Sequence, residues 1–288
     1  MVVNALSVDV EDWFQVGAFE TVIARDSWDS LEHRVEANTT RVLEIFAARE
    51  AKATFFTLGW VAERYPALMR RIAEAGHELA SHGWDHARVF TLEPEAFRAD
   101  LARARAAIEQ ASGQRVTGYR APSFSIDART PWAHTILAEE GYRYSSSIAP
   151  LRHDHYGFPE APRGAYRPIA GASLIELPVT VAKVLGREVT AGGGFFRLLP
   201  GSVIGKAVRM ANREGRPAVF YFHPWEVDPG QPRVAEAPLK SKLRHYSRLG
   251  AMAGKLDTLI AGHAWGRTDQ VAAREAERLE RELEAAAA

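Results

Sequence analysis

Short apolar or β-branched runs alternate with longer amphipathic stretches along most of the chain. The short runs predict strands, and the stretches in which apolar residues recur every three or four positions predict helices. Gly76, Gly113 and Gly215 supply helix stop signals, and Pro94 suits a first helical turn. The predicted strands are residues 2–8, 53–58, 78–81, 116–119, 142–145, 174–177 and 218–222, and the predicted helices are residues 39–50, 66–75, 94–112, 130–140 and 202–214.

This alternation implies an α/β protein whose parallel sheet is covered by helices. Seven units in some 220 residues fit a barrel better than an open sheet, and in a barrel the functional residues lie at the carboxyl ends of the strands. Residues 150–168 hold four prolines and predict a long ordered loop. Residues 191–197 predict a second loop, which lacks the glycine spacing of a nucleotide-binding motif. From about residue 269 the Ala/Glu/Arg-rich chain predicts a solvated helix.

Composition narrows the classes of function. The 36 basic residues balance 36 acidic ones, so no charge excess points to nucleic acid or an anionic membrane surface. The absence of cysteine excludes disulfides, thiolate metal sites and a cysteine nucleophile. The first residues lack the basic region of a signal peptide, and no apolar run is long enough to cross a membrane. A cytoplasmic location is therefore expected for the chain as given.

Two groups of candidate metal ligands follow predicted strands. The first strand runs into Asp9, Glu11 and Asp12, three carboxylates that repel one another unless a cation, a helix start or arginines compensate them. His82 and His86 follow the third strand, and on a helical turn this spacing lets two imidazoles converge on one metal. Two histidines with one carboxylate leave coordination positions open for water and substrate, as in catalytic zinc sites.

Two other strand ends carry groups suited to proton chemistry. Arg120 follows the fourth strand, where its guanidinium would hold an acid ionised or form a structural salt bridge. His223 ends the last apolar run and is followed by Pro224. It is a candidate general acid, with a hydrogen-bonded core histidine as the alternative.

The four motifs, in this order at four strand ends, resemble carbohydrate esterase family 4, the NodB-type polysaccharide deacetylases. The likeness covers about residues 5–225. The amino-acid sequence is still more similar to a bacterial subgroup found at exosortase exopolysaccharide loci. The matching segments are SVDVEDWF (7–14), ATFFTLG (53–59), GHELASH (76–82) and RHDHYG (152–157), with further similarity at 192–197 and 244–246.

The resemblance implies a distorted (β/α)7 TIM-like barrel of the NodB-homology type over residues 1–230, with long loops and a helical C-terminal extension over residues 231–288. It implies that Asp9 is the catalytic base, that Arg120 pairs with Asp9, and that His223 is the acid. His82 and His86 would bind a divalent transition metal, zinc in the first place and cobalt or nickel as alternatives.

The implied reaction removes N-acetyl groups from amino sugars of a bacterial polysaccharide or oligosaccharide. Residues beside the motifs are candidate contacts for the sugar, with core packing as the alternative for each aromatic side chain. An oxyanion would rest on the metal and on a backbone N–H near residues 122–123. The candidate substrate contacts are Trp13, Trp84, Pro122, Ser123 and Trp225.

The sequence departs from the family pattern at two places. Val10 follows Asp9 where the family has a second aspartate, so either Glu11 or Asp12 would complete the metal site. Ser145 aligns with an aspartate of many relatives. If that aspartate orients the catalytic acid, Asp154 or Glu226 would have to replace it here.

Three alternative functions remain. An allantoinase-like amidohydrolase of the same superfamily would act on a small amide, so substrate size distinguishes it from a polysaccharide deacetylase. An inactive carbohydrate-binding protein is suggested by Ser145 but disfavoured by the retained Asp9, Arg120 and His223. A two-carboxylate glycosidase would leave the histidine pair without a role.

Overall fold

A parallel sheet forms the centre of the computed structural model, which describes residues 2–152 and 156–287. Strands β1 to β6 are hydrogen-bonded in chain order, and both β9 and β10 pair with β1. A separate antiparallel hairpin consists of β7 and β8. The strands are β1 (Asn4–Val10), β2 (Thr54–Thr57), β3 (Glu78–Ser81), β4 (Gly118–Tyr119), β5 (Tyr144–Ser145), β6 (Ile175–Glu176), β7 (Val181–Val184), β8 (Arg187–Thr190), β9 (Val219–Phe222) and β10 (Trp265–Gly266).

The sheet curves into a barrel in which residues after β6 and after β8 connect β6 to β9. The backbone N–H of Thr180, in the segment after β6, donates to the carbonyl of Val219 with an N···O distance of 3.1 Å, which is normal for such a bond. Val219 donates in return to the Thr180 hydroxyl, and Gly192 forms a parallel bridge with Tyr221. Strands β1 to β6 and β9 correspond to the seven predicted strands. The predicted α/β class and distorted (β/α)7 barrel are therefore confirmed.

Helices cover the outside of the sheet, and the five predicted helices correspond to α1, α3, α4, α5 and α7. For α4 the prediction matches both ends, because Pro94 fits the first turn and Gly113, at φ +71°, takes the left-handed conformation after the last one. The helices are α1 (Val35–Ala47), α2 (Gly59–Arg64), α3 (Pro66–Glu74), α4 (Pro94–Ser112), α5 (Ala133–Glu139), α6 (Gly193–Leu198), α7 (Gly201–Arg213), α8 (Leu239–Tyr246), α9 (Met252–Ala261) and α10 (Thr268–Ala287).

Two predicted loops have different outcomes. The glycine-rich segment 191–197 was expected to be a loop, but most of it forms the short helix α6, so that prediction is wrong. The described residues of the loop predicted at 150–168 form neither a helix nor a strand, apart from the isolated bridge between Tyr166 and Glu176. They therefore agree with the predicted loop. His153, Asp154 and His155 lie outside the described residues.

Helix α10 closes the amino-terminal end of the barrel. Val271 and Ala272 in its first turns belong to the same buried apolar cluster as Phe56 of β2. Its first backbone N–H groups, which have no partner within the helix, donate to side chains at the starts of β2 and β3. No helix in the described ranges is both long and apolar enough to span a membrane.

Candidate metal centre and active site

The carboxyl ends of four strands bring the predicted motif residues to one mouth of the barrel, as expected for this architecture. Asp9 is the second-to-last residue of β1, and Glu11 directly follows that strand. His82 and His223 directly follow β3 and β9. A cavity of about 410 Å³ is lined by Asp9, Glu11, His82, His86 and His223 together.

Glu11, His82 and His86 form a group of potential metal ligands. One ligand atom from each lies within 4.8 Å of the other two. The two histidines converge on a loop and not on the helical turn that their spacing suggested. Gly83 and His86 both adopt positive φ, +76° and +63°, and this reversal returns His86 towards His82. A non-glycine residue in that conformation stores strain, which is common at functional sites.

Hydrogen bonding fixes which nitrogen of His82 is available to a metal. Its Nδ1 lies 2.8 Å from the carbonyl oxygen of Arg120. Because a carbonyl only accepts, Nδ1 carries the proton and Nε2 keeps its lone pair. Burial lowers the pKa of His82 to about 4, against the opposing charge of Asp9, so the imidazole is neutral at pH 7. A neutral imidazole is the form that binds metals.

The Glu11 carboxylate is buried and ionised. Burial alone would raise its pKa, but the nearby imidazoles of His86 and His223 outweigh burial and lower the pKa to about 2. Its Oε1 accepts a hydrogen bond from the indole of Trp225 at 3.1 Å. Its Oε2 is 3.0 Å from His86 Nε2 yet accepts no hydrogen bond within the described part of the chain. A buried carboxylate oxygen without a donor, facing two imidazoles, fits a divalent cation.

Asp12 does not belong to this group of ligands. Its two oxygens accept backbone N–H groups of Trp13, Arg34 and Val35 at 2.8, 2.8 and 3.0 Å, the last two at the start of α1. Burial raises the pKa of Asp12 to about 6 although these hydrogen bonds oppose the rise. Of the two carboxylates that the sequence left open, the geometry places Glu11 with the imidazoles.

Arg120 holds Asp9 in a fixed position. The guanidinium is fully buried and donates to Asp9 Oδ1 at 2.6 Å and to the Ser7 hydroxyl at 2.7 Å. It also donates to the carbonyl and the hydroxyl of Ser146 and lies over the ring of Phe56. All three nitrogens of the guanidinium therefore have acceptors, which hold it in one orientation. This fixes the Asp9 carboxylate at the wall of the cavity.

His223 is held by Glu226, one of the two acids that the sequence offered as its partner. Nδ1 of His223 lies 2.7 Å from Glu226 Oε1, and Nε2 lies 3.6 Å from Glu11 Oε1. Burial would lower the pKa of His223, but the charges of Glu11 and Glu226 exceed that effect and raise it to about 9. Arg197, which the sequence did not single out, donates to Glu226 Oε2 at 2.5 Å.

The candidate substrate contacts divide into two sets. Ser123 and Trp225 line the cavity. Trp13 and Trp84 are packed in the core and, like the buried Pro122, do not line it. Three aromatic residues that the sequence did not single out as substrate contacts also line it: Phe124, Tyr156 of the matching segment 152–157, and Tyr221 of β9.

A second, mostly apolar cavity of about 410 Å³ adjoins the first. The two share Tyr156, Tyr221, His223 and Trp225 along their common wall. The second cavity extends towards α6 and α8. The site therefore combines a polar end beside the potential metal ligands and an apolar end beside the C-terminal helices.

Comparisons with known proteins point to one family for part of the chain. Residues 26–145 match the family model of polysaccharide deacetylases, and residues 146–273 match a domain of unknown function. A peptidoglycan deacetylase of Helicobacter pylori is 27% identical over 39% of this chain and 38% of its own length. A peptidoglycan-N-acetylglucosamine deacetylase of Bacillus cereus is 27% identical over 33% of this chain and 35% of its own length. The chain thus matches well under half of each relative.

Solved structures share the fold over nearly the whole chain. A protein from Mycobacterium smegmatis assigned to the polysaccharide deacetylases superposes with a TM-score of 0.61 at 21% identity, covering 95% of this chain and 91% of that one. An allantoinase superposes with a TM-score of 0.57 at 15% identity, covering 93% and 88%. At these identities the two structures support the barrel alone.

Proposed function

We propose that this chain is a metal-dependent deacetylase of acetylated amino sugars. The match of residues 26–145 to the polysaccharide deacetylase family model and the likeness to two peptidoglycan deacetylases support this proposal. The observation that carries the proposal is the convergence of Glu11, His82 and His86 beside Asp9 and His223 in one cavity. On the basis of the sequence resemblance, we also propose that the substrate is a bacterial exopolysaccharide. The small-amide alternative has only the shared barrel in its favour.

Glu11, His82 and His86 would hold one divalent cation, with zinc as the first candidate for this donor set. Such an ion supplies Lewis acidity that polarises the amide carbonyl and makes water more acidic. Trp225 donates to Glu11 and the Arg120 carbonyl accepts from His82, so these neighbours orient two of the three ligands.

The remaining residues would move protons. Asp9, held by Arg120, would accept a proton from the water that attacks the acetyl carbon. As the C–N bond breaks, His223 would donate a proton from Nε2 to the leaving nitrogen. The products are acetate and a free amino sugar, and the proton taken by Asp9 balances the one given by His223.

The proposal is tested by metal analysis and by acetate release from N-acetylated amino-sugar oligomers, with allantoin as the small-amide comparison. We expect about one metal ion per chain, its loss in a His82→Ala/His86→Ala double variant, and acetate release that depends on the metal. Metal retained at full stoichiometry by the double variant, or hydrolysis of allantoin but of no amino sugar, would refute the proposal.

Asp9→Asn tests the assignment of the base. Because Asp9 is bound to Arg120 and does not belong to the group of ligands, the variant should keep its metal. Loss of a general base typically slows turnover about 10²–10⁴-fold. Unchanged turnover in Asp9→Asn would require a different base.

A further inference from the structure

A line of buried charges lies behind His223. Glu226 is fully buried and Arg197 is 1% exposed, and they are 2.5 Å apart. The other oxygen of Glu226 accepts from His223. Taking two charged groups out of water is costly, so a buried pair contributes little stability by itself. Its position against a catalytic imidazole suggests a role in orienting that ring.

Arg197 connects this line to helix α8. While its Nε donates to Glu226, its terminal nitrogens donate to the carbonyls of Arg244, His245 and Ser247 at 2.7–2.8 Å. These carbonyls lie at the carboxyl end of α8, where backbone acceptors have no partner within the helix. The guanidinium therefore satisfies a helix end and a carboxylate together.

Ring stacking fixes the plane of the same imidazole. His223 stacks on Trp225 with an angle of 16° between the rings, and Trp225 stacks on His245 of α8 at 14°. Since the Glu226 carboxylate accepts from Nδ1, Nδ1 carries a hydrogen and Nε2 is the nitrogen that faces the cavity. Glu226 sets the rotation of the ring in its plane, and Trp225 sets the plane.

We propose that Glu226 and Arg197 are positioning residues for the proton donor His223, and that Arg197 makes the position of α8 part of that device. The inference rests on the proposed deacetylase function. Many relatives have an aspartate at the position of Ser145. Within the described residues the Ser145 hydroxyl donates to Ser147 and not to His223. Glu226 would instead orient His223. Helix α8 and Arg197 both belong to the segment that matches the domain of unknown function.

A positioning role predicts a dependence on the leaving group that a purely structural role does not. An amine leaves an amide only when it is protonated, whereas an aryl oxide leaves an acetate ester without a proton. Misplacing His223 should therefore slow amide hydrolysis far more than aryl acetate hydrolysis. A general loosening of the site would slow both reactions in proportion.

The experiment compares kcat and KM of the full chain on an N-acetylated amino-sugar oligomer and on 4-nitrophenyl acetate. Losing a general acid typically slows the reaction about 10²–10⁴-fold, so misplacing one should cost a part of this, about 10–100-fold. We expect that loss in the amide kcat of Glu226→Gln, with a change in ester kcat below about 3-fold, an unchanged KM and full metal content. Glu226→Asp, which keeps the charge at a shorter reach, should recover part of the loss.

The double variant Glu226→Gln/Arg197→Met addresses the risk that Glu226→Gln leaves Arg197 as an uncompensated buried charge and does not fold. It removes both charges and should show the same selective loss. Lys255→Met is the matched control. Lys255 donates to the carbonyls of Phe196, Arg197 and Leu199 at the end of α6 but does not touch Glu226. The Lys255→Met substitution thus disturbs the same segment, and it should leave the ratio of amide kcat to ester kcat at the wild-type value.

The outcomes separate the two proposals. If wild type cleaves both substrates and the folded Glu226 variants lose both activities in proportion, or neither, the positioning role is refuted while the deacetylase function stands. If Lys255→Met shifts the ratio as much as Glu226→Gln, the effect is structural and the inference also fails. If metal-loaded wild type releases no acetate from any amino-sugar oligomer, the proposed function itself fails.

Discussion

Glu11 and Asp12 show how neighbouring carboxylates acquire opposite properties. Both are buried, and burial alone raises the pKa of either one. Glu11 faces imidazoles, and its pKa falls to about 2, whereas Asp12 has mainly backbone N–H groups as partners, and its pKa rises to about 6. One residue therefore offers a permanent charge to a cation, and the other anchors the start of a helix.

This difference predicts separable effects of two substitutions. Glu11→Gln should lose the metal but keep the fold. Asp12→Ala should keep the metal but lower the free energy of unfolding by about 1–3 kcal/mol, because backbone N–H groups at the start of α1 lose their acceptor. Metal analysis and urea unfolding of the metal-free chain measure both effects. Loss of the metal in Asp12→Ala alone would reverse our assignment of the ligand.

Glu78, at the opposite end of the barrel, predicts the pH dependence of stability. Burial raises its pKa from the ordinary value of 4.5, and the charge of Asp269 adds to the rise. Above pH 4.5 the folded chain thus holds a proton that the unfolded chain has released, so this contribution to stability is complete below pH 4.5 and decreases as the pH rises. One such proton lowers the free energy of unfolding by up to about 1.4 kcal/mol per pH unit.

Glu78→Gln isolates that contribution. Urea unfolding of wild type and variant at several pH values from 4 to 8 gives the difference between the two. We expect the variant to gain stability relative to wild type as the pH rises across this window. A difference that is constant with pH would show that Glu78 is ionised equally in both states.

At the scale of elements, close packing between β4 and β5 depends on one glycine. A Cβ at Gly118 would overlap the ring of Tyr144. That ring cannot swing away without breaking the hydrogen bond from its hydroxyl to Glu78, 2.8 Å long. The close packing of the two strands here therefore depends on the absence of a side chain at residue 118.

Gly118→Ala should lower the free energy of unfolding by about 1–3 kcal/mol, the usual cost of overpacking a core. Gly254→Ala is its control, since Gly254 lies inside α9 and nothing lies within 4 Å of an added Cβ. The alanine should there raise stability by up to about 1 kcal/mol through its better helix propensity. Equal effects of the two substitutions in thermal or urea unfolding would contradict the packing argument.

The elements that the sequence predicted are those with strong local signals. The seven barrel strands are short apolar runs, and α4 has both a proline start and a glycine stop. The β7–β8 hairpin was missed because Leu185 and Gly186, both at positive φ, form its turn, and Leu-Gly lacks the Asn-Gly or Asp-Gly signature of such turns. Helix α6 was missed because three successive glycines disfavour a helix in isolation.

The candidate site shows a similar limit. Groups at strand ends could be found along the sequence, because parallel strands bring their carboxyl ends together. The choice between Glu11 and Asp12 could not, since the two differ only in what surrounds them in the fold. Arg197 likewise has no local signal, because its contact with Glu226 joins residues 29 positions apart.

At the scale of the molecule, α10 covers the amino-terminal end of the barrel. Deleting residues 268–288 would uncover the apolar interior that Val271 and Ala272 cover and would remove the backbone N–H groups of α10 that donate to Glu78 and Thr54. We expect this variant to be insoluble or to unfold at a markedly lower temperature. Deleting only residues 281–288 removes exposed residues as far as the structure describes them and should leave the melting temperature within about 2 °C. Equal stability of the two truncated chains would contradict this role.

The central position of β1 has a consequence during synthesis on the ribosome. All seven residues of β1 are buried, and one of its partners is β9, so that the Ser7 hydroxyl donates to the carbonyl of Phe220, 213 residues later. At a translation rate of roughly 5–20 residues per second, β1 waits about 10–40 s for that partner to be made. During this interval the backbone N–H and C=O groups on that edge of β1 have no partner, and its buried side chains lack the cover that β9 provides.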